Sequence, residues 1–123
     1  MVYTPTDLQS IHKVIGVFQT YIEGSPYLDL LWSDKIGYIL LQLSSEKLFL
    51  EESWRVTSAE ALADRLFSEI ATDVLLMTQN EHSMADADPL ELAEIERRCR
   101  PYVEQLPEFQ HLCDPVPRVD AVE

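Results

Sequence analysis

Lys35–Leu43 (KIGYILLQL), the three residues Ser44-Ser45-Glu46, and Lys47–Trp54 (KLFLEESW) decide the fold of this chain. Two β-prone apolar runs flank a short turn-forming segment, which is the pattern of an antiparallel hairpin over about 35–54. Alternation gives the first run two apolar faces, Ile36, Tyr38 and Leu40 on one and Ile39, Leu41 and Leu43 on the other. A two-stranded hairpin alone is marginal in water. This one is therefore expected to lie against helices, to gain strands from a second copy of the chain, or both. Gly37 inside the run marks a bulge or a close backbone approach.

Helices are predicted on both sides of the hairpin. Upstream, Thr4-Pro5-Thr6-Asp7 offers an N-cap hydroxyl, a proline at the first helical position and an acid in the first turn. Leu8, Ile11, Ile15, Phe18 and Ile22 follow at helical spacing, so an N-terminal helix is expected over about 5–23, ending near Gly24. Ser25-Pro26 is read as capping a short helical turn through Trp32, with a short strand as the alternative.

Downstream, Thr57-Ser58-Ala59-Glu60 reads as a capping box with Thr57 as the cap. It opens a long central helix over about 58–78. The wide apolar set of that helix leaves only a narrow polar stripe of Asp64, Arg65, Ser68, Glu69, Thr72 and Asp73. After a polar loop, Asp88-Pro89-Leu90-Glu91 repeats the cap-proline-acid signal. Leu92, Ile95, Cys99, Tyr102 and Leu106 then keep helical spacing over about 89–106. Pro101 lies within that stretch, and a kink or break is expected near Arg100. The fold class is thus α+β. A single domain is expected over 1–108, and 109–123 is expected to be a loosely held, proline-containing acidic tail.

Charge bounds the partners. The chain has 123 residues, 22 acidic side chains against nine Lys and Arg, and a formal charge of −13. Such a field opposes nucleic acid and anionic membrane and favours cations or a basic protein surface. No apolar run has the roughly 18–20 residues a membrane span needs. The amino-terminal residues do not read as a secretory signal, and two cysteines make no disulfide framework. Cytoplasm is the expected compartment.

The chemistry-bearing candidates are sparse. Glu81, His82, Asp86 and Asp88, with Glu91, put five possible divalent-cation ligands into one loop. That loop lacks the acidic repeat and central glycine of an EF-hand, and capping explains Asp88 and Glu91 without a cation. Cys99, His111 and Cys113 fall short of the paired four-ligand spacing of a zinc site. Ser83, His82 and Asp86 have no nucleophile-elbow motif around them. Arg97, Arg98 and Arg100 face Glu94 and Glu96 one turn away, so a salt-bridged helix surface is preferred over a nucleic-acid patch. No catalytic residue and no cofactor is predicted.

What remains is aromatic. Tyr27, Trp32, Tyr38 and Trp54 cluster around the hairpin as candidate interaction residues. The expected function is a non-enzymatic protein-interaction or regulatory module acting as a homodimer. The alternatives are an acidic decoy that binds a basic protein surface as nucleic-acid mimics do, or a divalent-metal enzyme built on the 81–91 carboxylates.

Overall fold

The computed structural model describes residues 3–44, 49–77 and 88–113. In chain order the elements are α1 (Pro5–Gly24), β1 (Leu28–Ser33), β2 (Gly37–Leu43), β3 (Leu50–Arg55), α2 (Ala59–Met77) and α3 (Pro89–Gln105), followed by a short 3-10 helix (Pro107–Cys113). The chain is α+β. It falls into two compact units, Met1–Leu62 and Ala63–Glu123. No helix among the described residues is long and apolar enough to cross a membrane.

In the first unit, α1 begins where the sequence places it. The Thr4 hydroxyl accepts from Asp7 N–H at 3.0 Å, and Pro5 supplies the pre-set first turn. Ile11, Val14, Phe18 and Ile22 form its buried stripe. The hairpin is present and extended by one strand. β1, β2 and β3 make an antiparallel sheet in that order, with β2 in the middle. β2 is thus hydrogen-bonded along both edges, and its two apolar sets lie on opposite faces of the sheet. The β2–β3 loop is closed by Ser44 N–H donating to Phe49 C=O and Phe49 N–H donating to the Ser44 hydroxyl, at 2.7 and 2.9 Å.

The segment 28–33 is therefore a strand and not a helical turn. A single isolated turn fixes several dihedrals for one hydrogen bond. As β1, the same residues gain a ladder of six opposed pairs from Leu28↔Gln42 to Ser33↔Gly37.

Gly37 has φ +86° and starts β2 where β1 turns back. It also makes room for Tyr3, because a Cβ there would lie 2.5 Å from the Tyr3 hydroxyl oxygen. That hydroxyl donates to Val56 C=O at 2.6 Å and accepts from Tyr38 N–H at 2.9 Å. Tyr3 thereby bridges β2 and the residue that follows β3.

In the second unit, α2 buries two adjacent rows, Leu66, Ile70 and Val74 beside Ala63, Phe67, Ala71 and Leu75. Its polar stripe is the expected one, with Asp64, Ser68 and Thr72 exposed and Arg65, Glu69 and Asp73 half-buried. Burial pushes the Glu69 carboxyl up, against the pull of the Arg65 guanidinium 3.7 Å away. The cap at the start of α2 is Ser58 and not Thr57. The Ser58 hydroxyl accepts from Ala61 N–H at 3.0 Å, three residues on, where an N-cap oxygen reaches.

At α3 the capping box is complete, with Glu91 N–H donating to Asp88 Oδ1 at 2.9 Å and Asp88 N–H donating to Glu91 Oε1 at 3.0 Å. The helix runs unbroken through Pro101 to Gln105. One lost backbone bond is outweighed by keeping Ile95 and Cys99 buried before the proline and Leu106 buried after it. The expected tail beyond Cys113 lies outside the described residues.

Candidate interaction face

The sheet has two faces, and register assigns each residue to one of them. Directly opposed residues share a face, and alternate residues along a strand share it too. Leu28, Leu30, Trp32, Tyr38, Leu40, Gln42, Glu52 and Trp54 therefore fall together. Leu28 and Leu40 on this face are buried, and α1 meets it. His12 Nε2 and the Tyr38 hydroxyl are 2.9 Å apart, with their rings edge to face. Tyr38 packs against Trp32 with ring centroids 4.8 Å apart, and Trp32 in turn neighbours Tyr3 at 6.4 Å. The Trp32 indole N–H donates to Asp34 Oδ1 at 2.8 Å.

The other face carries three rows across the strands. Leu31, Ile39 and Arg55 form one, and Asp29, Leu41 and Ser53 the next. The third is Tyr27, Leu43 and Leu50, since Leu43 N–H donates to Tyr27 C=O at 2.8 Å and Leu43 opposes Leu50. Leu50 belongs here only because of a register shift. Gln42 opposes Glu52 and Leu43 opposes Leu50, so Glu51 is the extra residue of a β-bulge. Without that insertion Leu50 would fall on the α1 side.

Apolar side chains dominate this open face. Ile39, Leu41 and Leu43 are half-buried along the middle strand. Around them Tyr27, Leu31 and Leu50 keep 39, 47 and 59% of their surface exposed. Phe49, next to Leu50, is exposed as well. Asp29 on β1 and Arg55 on β3 put an acid and a base on this face in adjacent rows, and Glu51, which alternates with Ser53 and Arg55, adds an exposed acid beside Leu50. Asp29 Oδ1 also accepts from Leu30 N–H at 2.9 Å. Leu30 lies at a non-hydrogen-bonded ladder position, so that N–H points away from β2 toward the outer edge.

The aromatic candidates are thus divided. Tyr27 lies on the open face, whereas Trp32, Tyr38 and Trp54 belong to the face that α1 meets, Trp54 half-buried opposite Leu40. Sequence reasoning missed Leu31 and Leu50 as exposed members of the open face, and Tyr3 as the hydroxyl that ties the strands. Alternation could have found Leu31, but nothing local marks the bulge that turns Leu50.

Asp88 spends its carboxylate on the α3 cap, while Glu81, His82 and Asp86, with Ser83, lie outside the described residues. Among the described residues no three His, Cys, Asp or Glu side chains converge as a metal site. Cys99 is a buried thiol on the apolar stripe of α3, in no disulfide, and His111 is exposed.

Two of the three clustered arginines, Arg97 and Arg98, are salt-bridged to Glu94. Arg98 Nε meets Glu94 Oε2 at 2.7 Å, as the spacing predicts, and Arg97 adds a two-pronged contact to the same carboxylate, its closer arm at 2.6 Å. The hydrogen bonds from Arg97 and then Arg98 hold the Glu94 carboxyl down to about 2, from an ordinary 4.5. A lowered carboxyl stabilises the fold above its ordinary value and loses that contribution as pH falls through about 2. In a carboxyl NMR titration Glu94 should stay ionised at pH 3 and revert to the ordinary range in Arg97→Ala/Arg98→Ala. An unshifted Glu94 at low salt would contradict these contacts; at high salt the shift should shrink.

No protein-family model matches the chain, and no curated protein or solved structure is significantly similar to it.

Proposed function

We propose that the chain is a non-enzymatic protein-interaction module that pairs with a second copy of itself through the open face of its sheet. The observation that carries this reading is the gathering of exposed Tyr27, Leu31 and Leu50 around half-buried Ile39, Leu41 and Leu43. Contiguous exposed apolar surface of this kind marks interaction sites. The bulge at Glu51 enlarges that surface, and bulges serve to re-aim side chains. Cytoplasmic residence belongs to the same reading, and its support is the sequence alone, whose two cysteines make no disulfide framework.

The test is the solution mass of the full chain by light scattering across a concentration series. A dimer is expected for the native sequence and a monomer for Leu31→Glu, which places a charge on the face without touching the buried core. A native chain that stays monomeric up to about 100 μM, equivalent to a Kd weaker than this, would overturn the reading. So would a folded Leu31→Glu that still dimerises as before.

A further inference from the structure

Resting on that pairing, we infer that the two copies dock in one orientation, set by Asp29 of each copy against Arg55 of the other. Each copy carries a formal charge of −13, so contact between copies must offset repulsion. The open face supplies the means. Besides the bulge acid Glu51 next to Leu50, its rows hold Asp29 and Arg55, an acid and a base separated by two strand spacings and by one row, about 10 Å across the sheet and about 7 Å along it. Asp29 is half-buried and Arg55 exposed, both at the margin of the apolar centre.

Two sheets stacked face to face are related by a two-fold axis lying in the plane between them, and such an interface is self-complementary. A single axis direction exchanges the Asp29 and Arg55 corners, and it passes between Leu41 and Ile39 on the central strand. Two reciprocal ion pairs then form at opposite margins. Leu31, the most exposed leucine of β1, lies close to the axis and meets its own counterpart. On strand and row spacings alone the strands of the two copies cross at roughly 70°, near the orthogonal class of sheet packing. The alternative axis parallel to the strands sets Leu31 against Arg55 and leaves Asp29 facing Ser53, with no charge compensation. Opposite charges across an interface fix register and exclude wrong partners.

The experiment is a charge swap in the full chain, read by sedimentation equilibrium. Asp29→Arg and Arg55→Asp should each weaken dimerisation by at least tenfold, because each sets two like pairs against each other. An equimolar mixture of the two variants should recover a dimer, since every corner contact then sets an arginine of one variant against an aspartate of the other. Circular dichroism checks that each variant folds. Asp29→Asn, which keeps an oxygen for Leu30 N–H, should also weaken the dimer if Asp29→Arg does not fold. Single variants that dimerise like the native chain, or a mixture that does not recover, overturn the orientation. A monomeric native chain would instead remove the pairing itself, so the two failures are distinguishable.

Discussion

Gly37→Ala is expected to lower stability by about 3 kcal/mol, from a left-handed backbone cost of ~1–2 kcal/mol and roughly 1 kcal/mol for each hydrogen bond Tyr3 gives up. For a chain of this size that is a fall in melting temperature on the order of 10–15 °C. Neither effect is easily relieved. The φ of +86° strains any L side chain, and the new Cβ would stand 2.5 Å from the Tyr3 oxygen. Tyr3 is buried, and its hydroxyl is held by both Val56 and Tyr38, so its ring has no free direction to move. A double-mutant cycle separates the causes. Tyr3→Phe should cost much less in the Gly37→Ala background than in the native one, because the bridge is already broken. A Gly37→Ala chain as stable as the native would contradict this packing of Tyr3 over the turn.

The second large effect is expected at Phe18, fully buried on the inner stripe of α1 with its ring edge-on to Tyr21. Phe18→Ala removes most of a buried aromatic and leaves a cavity, at ~3–5 kcal/mol for such truncations. That is a large share of the roughly 5–15 kcal/mol that holds a typical domain together. Urea titration should show a lower midpoint with an unchanged slope. Leu90→Ala is the matched control. Leu90 is 82% exposed, and its loss should stay within about 0.5 kcal/mol. Equal effects at the two positions would mean that Phe18 does not anchor α1.

Features specified by neighbouring residues were legible in the sequence. Thr4-Pro5 and Asp88-Pro89 open helices because a cap oxygen and a proline act within one turn. The α2 start was misplaced by one residue, since Thr57 and Ser58 both carry a hydroxyl and only the backbone path selects Ser58. The hairpin could be read because turn residues separate two apolar runs. β1 was ambiguous because Tyr27–Trp32 is nearly continuous in apolar residues, and a short run of that kind fits a helix or a buried strand equally. Pairing with β2 resolves it, and pairing is not local. The same reason hides the open face. A one-residue bulge decides where Leu50 goes, and faces rather than exposure divide Tyr27 from Trp32, Tyr38 and Trp54. Tyr3, seated against residues 35 and 53 positions away in the chain, had no signal in its neighbours.

The bond from Leu30 N–H to Asp29 Oδ1 bears on how the edge of the sheet resists further strand pairing. β1 is a rim strand with exposed Leu31 and Trp32, the kind of rim that templates fibril growth when its amides are free. Here the middle outward amide is already occupied by a carboxylate from the same strand. An incoming chain would have to displace that oxygen and bring its own backbone beside a negative charge. The opposite rim, β3, presents Glu51, Glu52 and Arg55 in place of an apolar ribbon. Sheet extension is therefore disfavoured at both ends, and polymerisation is discouraged by one acidic side chain turned back on its own backbone.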